Sequence, residues 1–91
     1  MKYEIIETKS YRKDVKKMIK QGKKMEFLID IVDRISNGET LEPKYRDHAL
    51  QGKFSGCREC HIAPDWLLVY RIDKGELELI LLHTKSHSDL F

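Results

Sequence analysis

No stretch of this chain stays apolar for long. The longest uninterrupted runs, such as Trp66 to Tyr70 and Leu79 to Leu82, are far too short to span a bilayer, so no membrane helix is expected. A signal-peptide pattern is also missing, because Met1 to Ser10 alternates polar with apolar residues and carries two glutamates. A cytoplasmic location with reduced thiols is the corresponding expectation. There is no internal repeat, no low-complexity segment, and no linker rich enough in Pro, Gly or Ser to divide the chain. Its 91 residues therefore read as one domain, residues 1–91, able to bury a single modest core.

What is present fits a folded domain with a densely charged exterior: 41% hydrophobic and 35% charged residues. The formal net charge is only +2, but its distribution is uneven. From Lys9 to Lys24 there are eight Lys or Arg residues, and Asp14 is the only acid. Two readings stand side by side, a footprint for a polyanion or acidic partner and an ordinary solvated helix face.

Taken in order, Lys2 to Glu7 reads as a short strand. Thr8 or Ser10 can cap a helix whose buried stripe is Tyr11, Val15, Met18 and Ile19. Gly22 ends it, and Phe27 or Leu28 with Ile31, Val32 and Ile35 defines a second amphipathic helix that stops at Asn37-Gly38. A polar connection from Gly38 to about Gly52 contains His48 and is long enough to be functional. Phe54 to Ile62, Trp66 to Ile72 and Leu77 to His83 then read as three strands in a meander, with reversals at Pro64-Asp65 and Asp73-Lys74-Gly75. In the last strand a period of two puts Leu77, Leu79, Leu81 and His83 on one face. The fold class is α+β, in the order β-α-α-β-β-β, with a helix pair packed on an antiparallel sheet and the first strand added at an edge.

Cys57-Arg58-Glu59-Cys60-His61 matches the attachment motif for c-type haem. That chemistry belongs to an exporting, oxidising context, and a core this small cannot enclose a porphyrin. Adding His83 and His87 makes a stretched zinc-finger pattern, whose inter-pair arm departs from the familiar spacing. On a strand, Cys57 and Cys60 point to opposite faces and cannot share one ion. A redox Cys-x-x-Cys meets the same objection. No cofactor or metal is assigned, Cys60 is read as core and Cys57 as incidental.

The histidines allow chemistry without a metal. Cleaving RNA this way needs a base for the ribose 2′-hydroxyl, an acid for the 5′-oxygen leaving group, and cations for the phosphate. Histidine suits both proton roles near neutral pH. Glu59 and His61 share one strand face, and Asp65 follows past the turn. Lys85, Arg58 and Arg71 offer positive charge, and Phe91 offers a ring on which a base can stack.

Three segments carry a family resemblance: Tyr45-Arg46-Asp47-His48-Ala49-Leu50-Gln51-Gly52, Arg58-Glu59-Cys60-His61-Ile62-Ala63-Pro64-Asp65-Trp66-Leu67-Leu68-Val69-Tyr70, and Ser86-His87-Ser88-Asp89-Leu90-Phe91. In order and spacing they resemble the YafQ-type toxins of the RelE/ParE toxin-antitoxin superfamily, while the first half agrees only in its pattern of a strand and two helices. The resemblance implies an endoribonuclease that cuts mRNA, typically on the ribosome, leaving a 2′,3′-cyclic phosphate. It also implies an acidic, dimeric, DNA-binding antitoxin that holds the toxin inactive. His48, His61, Asp65 and His87 fall where this subgroup has its functional residues, and Phe91 matches its C-terminal aromatic. The implied roles are His87 as general acid, His48 or Asp65 as base, and His61 orienting the phosphate. The subgroup often has Asp where this chain has Glu59, which leaves that position without an assigned role. The alternative from another class is a ParE-like toxin that binds and inhibits gyrase without cutting RNA.

Overall fold

The computed structural model describes residues 1–86. His87 and Phe91, assigned to the site from sequence, lie outside the described residues. The elements run β1 (Glu4–Glu7), α1 (Lys9–Lys20), α2 (Met25–Ser36), β2 (His48–Ala49), β3 (Arg58–Ala63), β4 (Trp66–Asp73) and β5 (Glu78–Lys85), with 3-10 turns at Pro43–Tyr45 and Gly52–Phe54 on either side of β2. Both helices pack on one face of a five-stranded sheet ordered β1-β5-β4-β3-β2.

The helix ends follow from local chemistry. Thr8 caps α1, its hydroxyl oxygen accepting from the Tyr11 backbone N–H at 3.1 Å while its O–H donates to the Leu81 carbonyl at 2.8 Å. This one side chain starts the helix and pins it to β5. At the far end Gly22 adopts φ +80, and the Gly22 and Lys23 N–H groups return to the Ile19 and Met18 carbonyls at 3.0 and 3.1 Å. Gly38 ends α2 in the same way with φ +82. Both are Schellman closures, for which glycine is favoured because the left-handed backbone has no Cβ to strain.

Tyr11, Met18, Leu28, Ile31 and Ile35 meet Cys60, Trp66, Leu68, Tyr70, Leu79 and Leu81 in one core on the helix side of the sheet. The stripe on α1 is rotated from the expected one: Ile19 is 54% exposed, and Asp14 is buried in its place. On α2, Leu28 is the core residue and Phe27 is 51% exposed.

Three features of the sheet differ from the sequence reading. β1 pairs parallel to β5, with Ile5 opposite Leu79 and Ile6 opposite Ile80. Parallel neighbours require a crossover rather than a hairpin, and everything between these two strands supplies it. Second, His48 lies in a two-residue fifth strand, with His48 opposite Glu59, rather than in an unpaired loop. Third, β5 does not keep its period of two. Leu77 is exposed in the turn at φ +54, where the Asp73 carboxylate accepts from the Glu76 N–H at 3.1 Å. Farther on, Val69 pairs with His83 but Tyr70 pairs with Leu81, so Leu82 is an extra residue in the ladder. A bulge of this kind reverses which side chains face the core.

Candidate active site

The face of the sheet away from the helices is built by register. Residues paired directly across antiparallel strands share a face. His48, Glu59, Val69 and His83 therefore form one row across β2, β3, β4 and β5, and His61, Leu67 and Lys85 form the next. Leu67 and Val69 are fully buried yet belong to no part of the helix-side core, so they form an apolar floor between the polar groups. With strands about 4.8 Å apart, His61 and Lys85 stand about 10 Å apart at their backbones across Leu67. The Lys85 ammonium reaches toward α1, its Nζ 3.8 Å from Asp14 Oδ1.

The bulge at Leu82 corrects the expected placement of His83 beside Leu81. After Leu79 and Leu81 face the core, the extra residue moves His83 and Lys85 to the open face and puts Thr84 inside. There the Thr84 hydroxyl accepts from Trp66 Nε1–H at 2.8 Å and donates to the Leu67 carbonyl at 3.0 Å. Since β1 ends at Glu7, α1 covers the rest of the β5 edge. The buried Asp14 carboxylate accepts there from the Thr84 N–H at 3.2 Å and meets His83 Nδ1 at 3.1 Å.

His48 is fixed from two sides, with Nδ1 2.6 Å from the Arg46 carbonyl and Nε2 3.4 Å from Glu59 Oε1. Glu59 is only 4% exposed, and its Oε2 has no hydrogen-bond partner among the described residues. A buried carboxylate oxygen without a hydrogen-bond partner is costly. The sequence reading left Glu59 without an assigned role. The available signal was its place two residues before His61 on the same strand face.

The remaining assigned residues divide. Asp65 is exposed in the turn between β3 and β4, at the His61 end of the face. Arg71 shares the Leu67 and Val69 face, one row beyond His83 and away from His61. Arg58 is opposite Tyr70, in the register of the helix-side row, and its Nε bonds Asp47 at 3.3 Å. It is not brought together with His61 and Lys85. Beside His61, a groove of about 530 Å³ opens along the outer side of β3, lined by Phe27, Lys44, Tyr45, Arg46 and Pro64 among others.

The cysteines do not form a site. Cys57 precedes β3 and is half-buried, while Cys60 is buried in the core, and burial pushes its thiol pKa up to about 12. Among the described residues, no group of three or more His, Cys, Asp or Glu side chains is placed to hold a metal ion.

The fold is that of a small α+β protein, a five-stranded sheet backed by two helices, with imidazoles, a carboxylate and a lysine gathered on its other face. Residues 3–91 match the family model of YafQ, the bacterial toxin of type II toxin-antitoxin systems. The chain belongs to this family, within the RelE superfamily. It is 37% identical to the mRNA interferase toxin YafQ of Escherichia coli K12 over 84 residues, which cover 89% of this chain and 87% of that one. A metal-bound toxin from Helicobacter pylori superposes with a TM-score of 0.91 at 42% identity, covering 98% of this chain and 99% of the other. The E. coli toxin in the DinJ-YafQ toxin-antitoxin complex superposes at 0.88 with 34% identity, covering 100% and 99%.

Proposed function

We propose that this chain is an mRNA interferase, an endoribonuclease that cleaves mRNA on the ribosome by attack of the ribose 2′-hydroxyl and without a metal ion. The observation that carries the reading is the gathering of His48, Glu59, His61, His83 and Lys85 on one face of the sheet. RNA cleavage through a cyclic phosphate needs no other cofactor than groups that move protons and a cation that steadies the phosphate. His61 and Lys85 flank the apolar floor and hold the phosphate between them. His87 is the proposed acid that protonates the departing 5′-oxygen, and Phe91 the ring that stacks on a base. Arg71 adds positive charge at one end of the face, and Lys44 and Arg46 line the groove where the strand continues past His61.

The partner is an acidic antitoxin that holds the toxin inactive. The complex of the E. coli relative with its antitoxin supports this, as does the basic solvent face of α1. The gyrase-binding alternative gains no support from the site, since a surface that only binds has no use for several imidazoles over a buried carboxylate.

The test is to induce the chain in bacteria and map mRNA ends. Wild type should produce new 5′-hydroxyl ends paired with 2′,3′-cyclic phosphate ends, and purified toxin should keep cutting in excess EDTA. His87→Ala and His61→Ala should each lower cutting by about 10²- to 10⁴-fold while retaining the wild-type melting temperature. Growth arrest with no new mRNA ends would overturn the proposal.

A further inference from the structure

Two imidazoles on this face of the sheet have different partners at their ring nitrogens. A neutral histidine accepts at one ring nitrogen only if the other carries the hydrogen and the accepting lone pair is open. At His48, the Arg46 carbonyl 2.6 Å away accepts only, so Nδ1 carries the hydrogen. Its Nε2 then faces the Glu59 carboxyl at 3.4 Å. Two lone pairs would repel there, so the contact is favourable only with a proton between them. The Nε2 of His48 thus faces a buried carboxyl group.

His83 has the opposite arrangement. Its Nδ1 lies 3.1 Å from Asp14 Oδ2, which makes Nδ1 the donor and leaves the lone pair on Nε2. Asp14 is 7% exposed and is anchored by the Thr84 N–H. The Phe54 ring meets the imidazole edge-on, with centroids 6.1 Å apart and planes at 84°. The ring is thus held on two sides. The charges facing it are Asp14 from α1, Lys85 on β5, whose Nζ lies 3.8 Å from Asp14 Oδ1, and Lys53, whose Nζ lies over the Phe54 ring.

We propose that His83 is the general base of the cleavage reaction and that Asp14 is its positioning residue; this rests on the endoribonuclease reading above. The Nε2 of His83 removes the proton from the ribose 2′-hydroxyl, and the 2′-oxygen bonds to the adjacent phosphorus. The bond from phosphorus to the 5′-oxygen breaks, and that oxygen receives a proton from the acid proposed above, His87. The products are a 2′,3′-cyclic phosphate and a 5′-hydroxyl. The imidazolium formed on His83 is stabilised by the Asp14 carboxylate at Nδ1, the role a buried aspartate has beside a catalytic histidine in hydrolytic triads. Lys85, two residues along the same face, is placed to meet the phosphate as negative charge develops on its oxygens.

The experiment is single-turnover cleavage of ribosome-bound mRNA by wild type, His83→Ala and Asp14→Asn. His83→Ala should lose about 10²- to 10⁴-fold in rate at saturating substrate, with half-saturation unchanged and part of the rate restored by added imidazole. Asp14→Asn should lose rate in the same way. If His83→Ala cuts within about threefold of wild type, or if its loss appears in half-saturation instead, the base assignment is overturned while the endoribonuclease reading stands. If wild type does not cut, the underlying reading fails. A measurement on the unaltered protein guards against a variant that does not fold. Imidazole 15N spectra should show His83 with hydrogen on Nδ1 and a bare Nε2, a preference weakened in Asp14→Asn, and the opposite tautomer in wild type would overturn the proposal.

Discussion

Asp47 ties the segment carrying His48 to the sheet, and removing it should be costly in a calculable way. Its Oδ1 accepts from the Tyr70 hydroxyl at 2.7 Å and from Arg58 Nε at 3.3 Å. Burial first, and then the Asp47 carboxylate, raise the Tyr70 phenol above its ordinary range, so it remains a donor at every pH where the protein is folded. Asp47→Ala strips that buried phenol of its acceptor, worth about 1–3 kcal/mol. The bond to Arg58, whose side chain is 41% exposed, adds at most about 1 kcal/mol. A total near 2–3 kcal/mol is a large share of the roughly 5–10 kcal/mol available to a small domain. With a urea slope of about 1–1.5 kcal/mol per molar, the midpoint should fall by about 2 M. The interaction is isolated by adding Tyr70→Phe and Asp47→Ala/Tyr70→Phe to the urea series. The coupling should come to about 1.5–3 kcal/mol, as for a hydrogen bond to a charged group. A coupling below about 0.5 kcal/mol would refute the claim that this bond holds the His48 segment in place. Asp47→Ala should also reduce cleavage under conditions where it is still folded, because His48 directly follows it in the chain.

Two further outcomes follow from buried titratable groups and from surface charge. Because the folded Cys60 thiol is pushed up to about 12 by burial, the unfolded chain ionises first as pH rises. Stability should be intact below about pH 9 and fall above it by up to about 1.4 kcal/mol per pH unit; equal slopes for wild type and Cys60→Ala in urea midpoints across pH 8–11 would contradict this. Reversing charge at Lys16 and Lys20, both exposed on α1, should weaken antitoxin binding by about tenfold in low salt and much less in high salt. Titration calorimetry at two ionic strengths checks this, and a loss of affinity independent of salt would argue against an electrostatic contact.

The parts of the fold legible in sequence were those governed by short-range chemistry. Thr8 as a cap, Gly22 and Gly38 as helix ends, and the three late strands all follow from residues whose preferences act within a turn or two. Features decided by distant partners were not legible. Ile19 fits an apolar helical pattern, yet it is Asp14 that is buried, because the open edge of β5 presents the Thr84 N–H and that donor needs an acceptor. The parallel pairing of β1 depends on where the chain arrives after two helices and three strands, and no local pattern records that. His48 and His61 stand out by residue type, whereas Glu59 matters through a contact with His48 and a burial that only the folded sheet creates. The placement of His87 and Phe91 lies outside the described residues, and their roles rest on the resemblance of the tail motif.

The bulge at Leu82 links fold to chemistry most directly. With an unbroken period of two, His83 would follow Leu81 into the core and Thr84 would point outward. One extra residue reverses both: Thr84 becomes the buried partner of Trp66, and His83 comes to the open face within reach of Asp14. The same reversal brings Lys85 opposite Leu67, on the floor it shares with His61. Deleting Leu82 should therefore straighten the ladder without exchanging its faces. With Leu81 still opposite Tyr70 and His83 still opposite Val69, plain alternation would keep His83 outward and leave the Thr84 hydroxyl with Trp66 Nε1. The bulge thus accommodates Leu82 while one strand supplies Leu79 and Leu81 to the core and His83 and Lys85 to the opposite face.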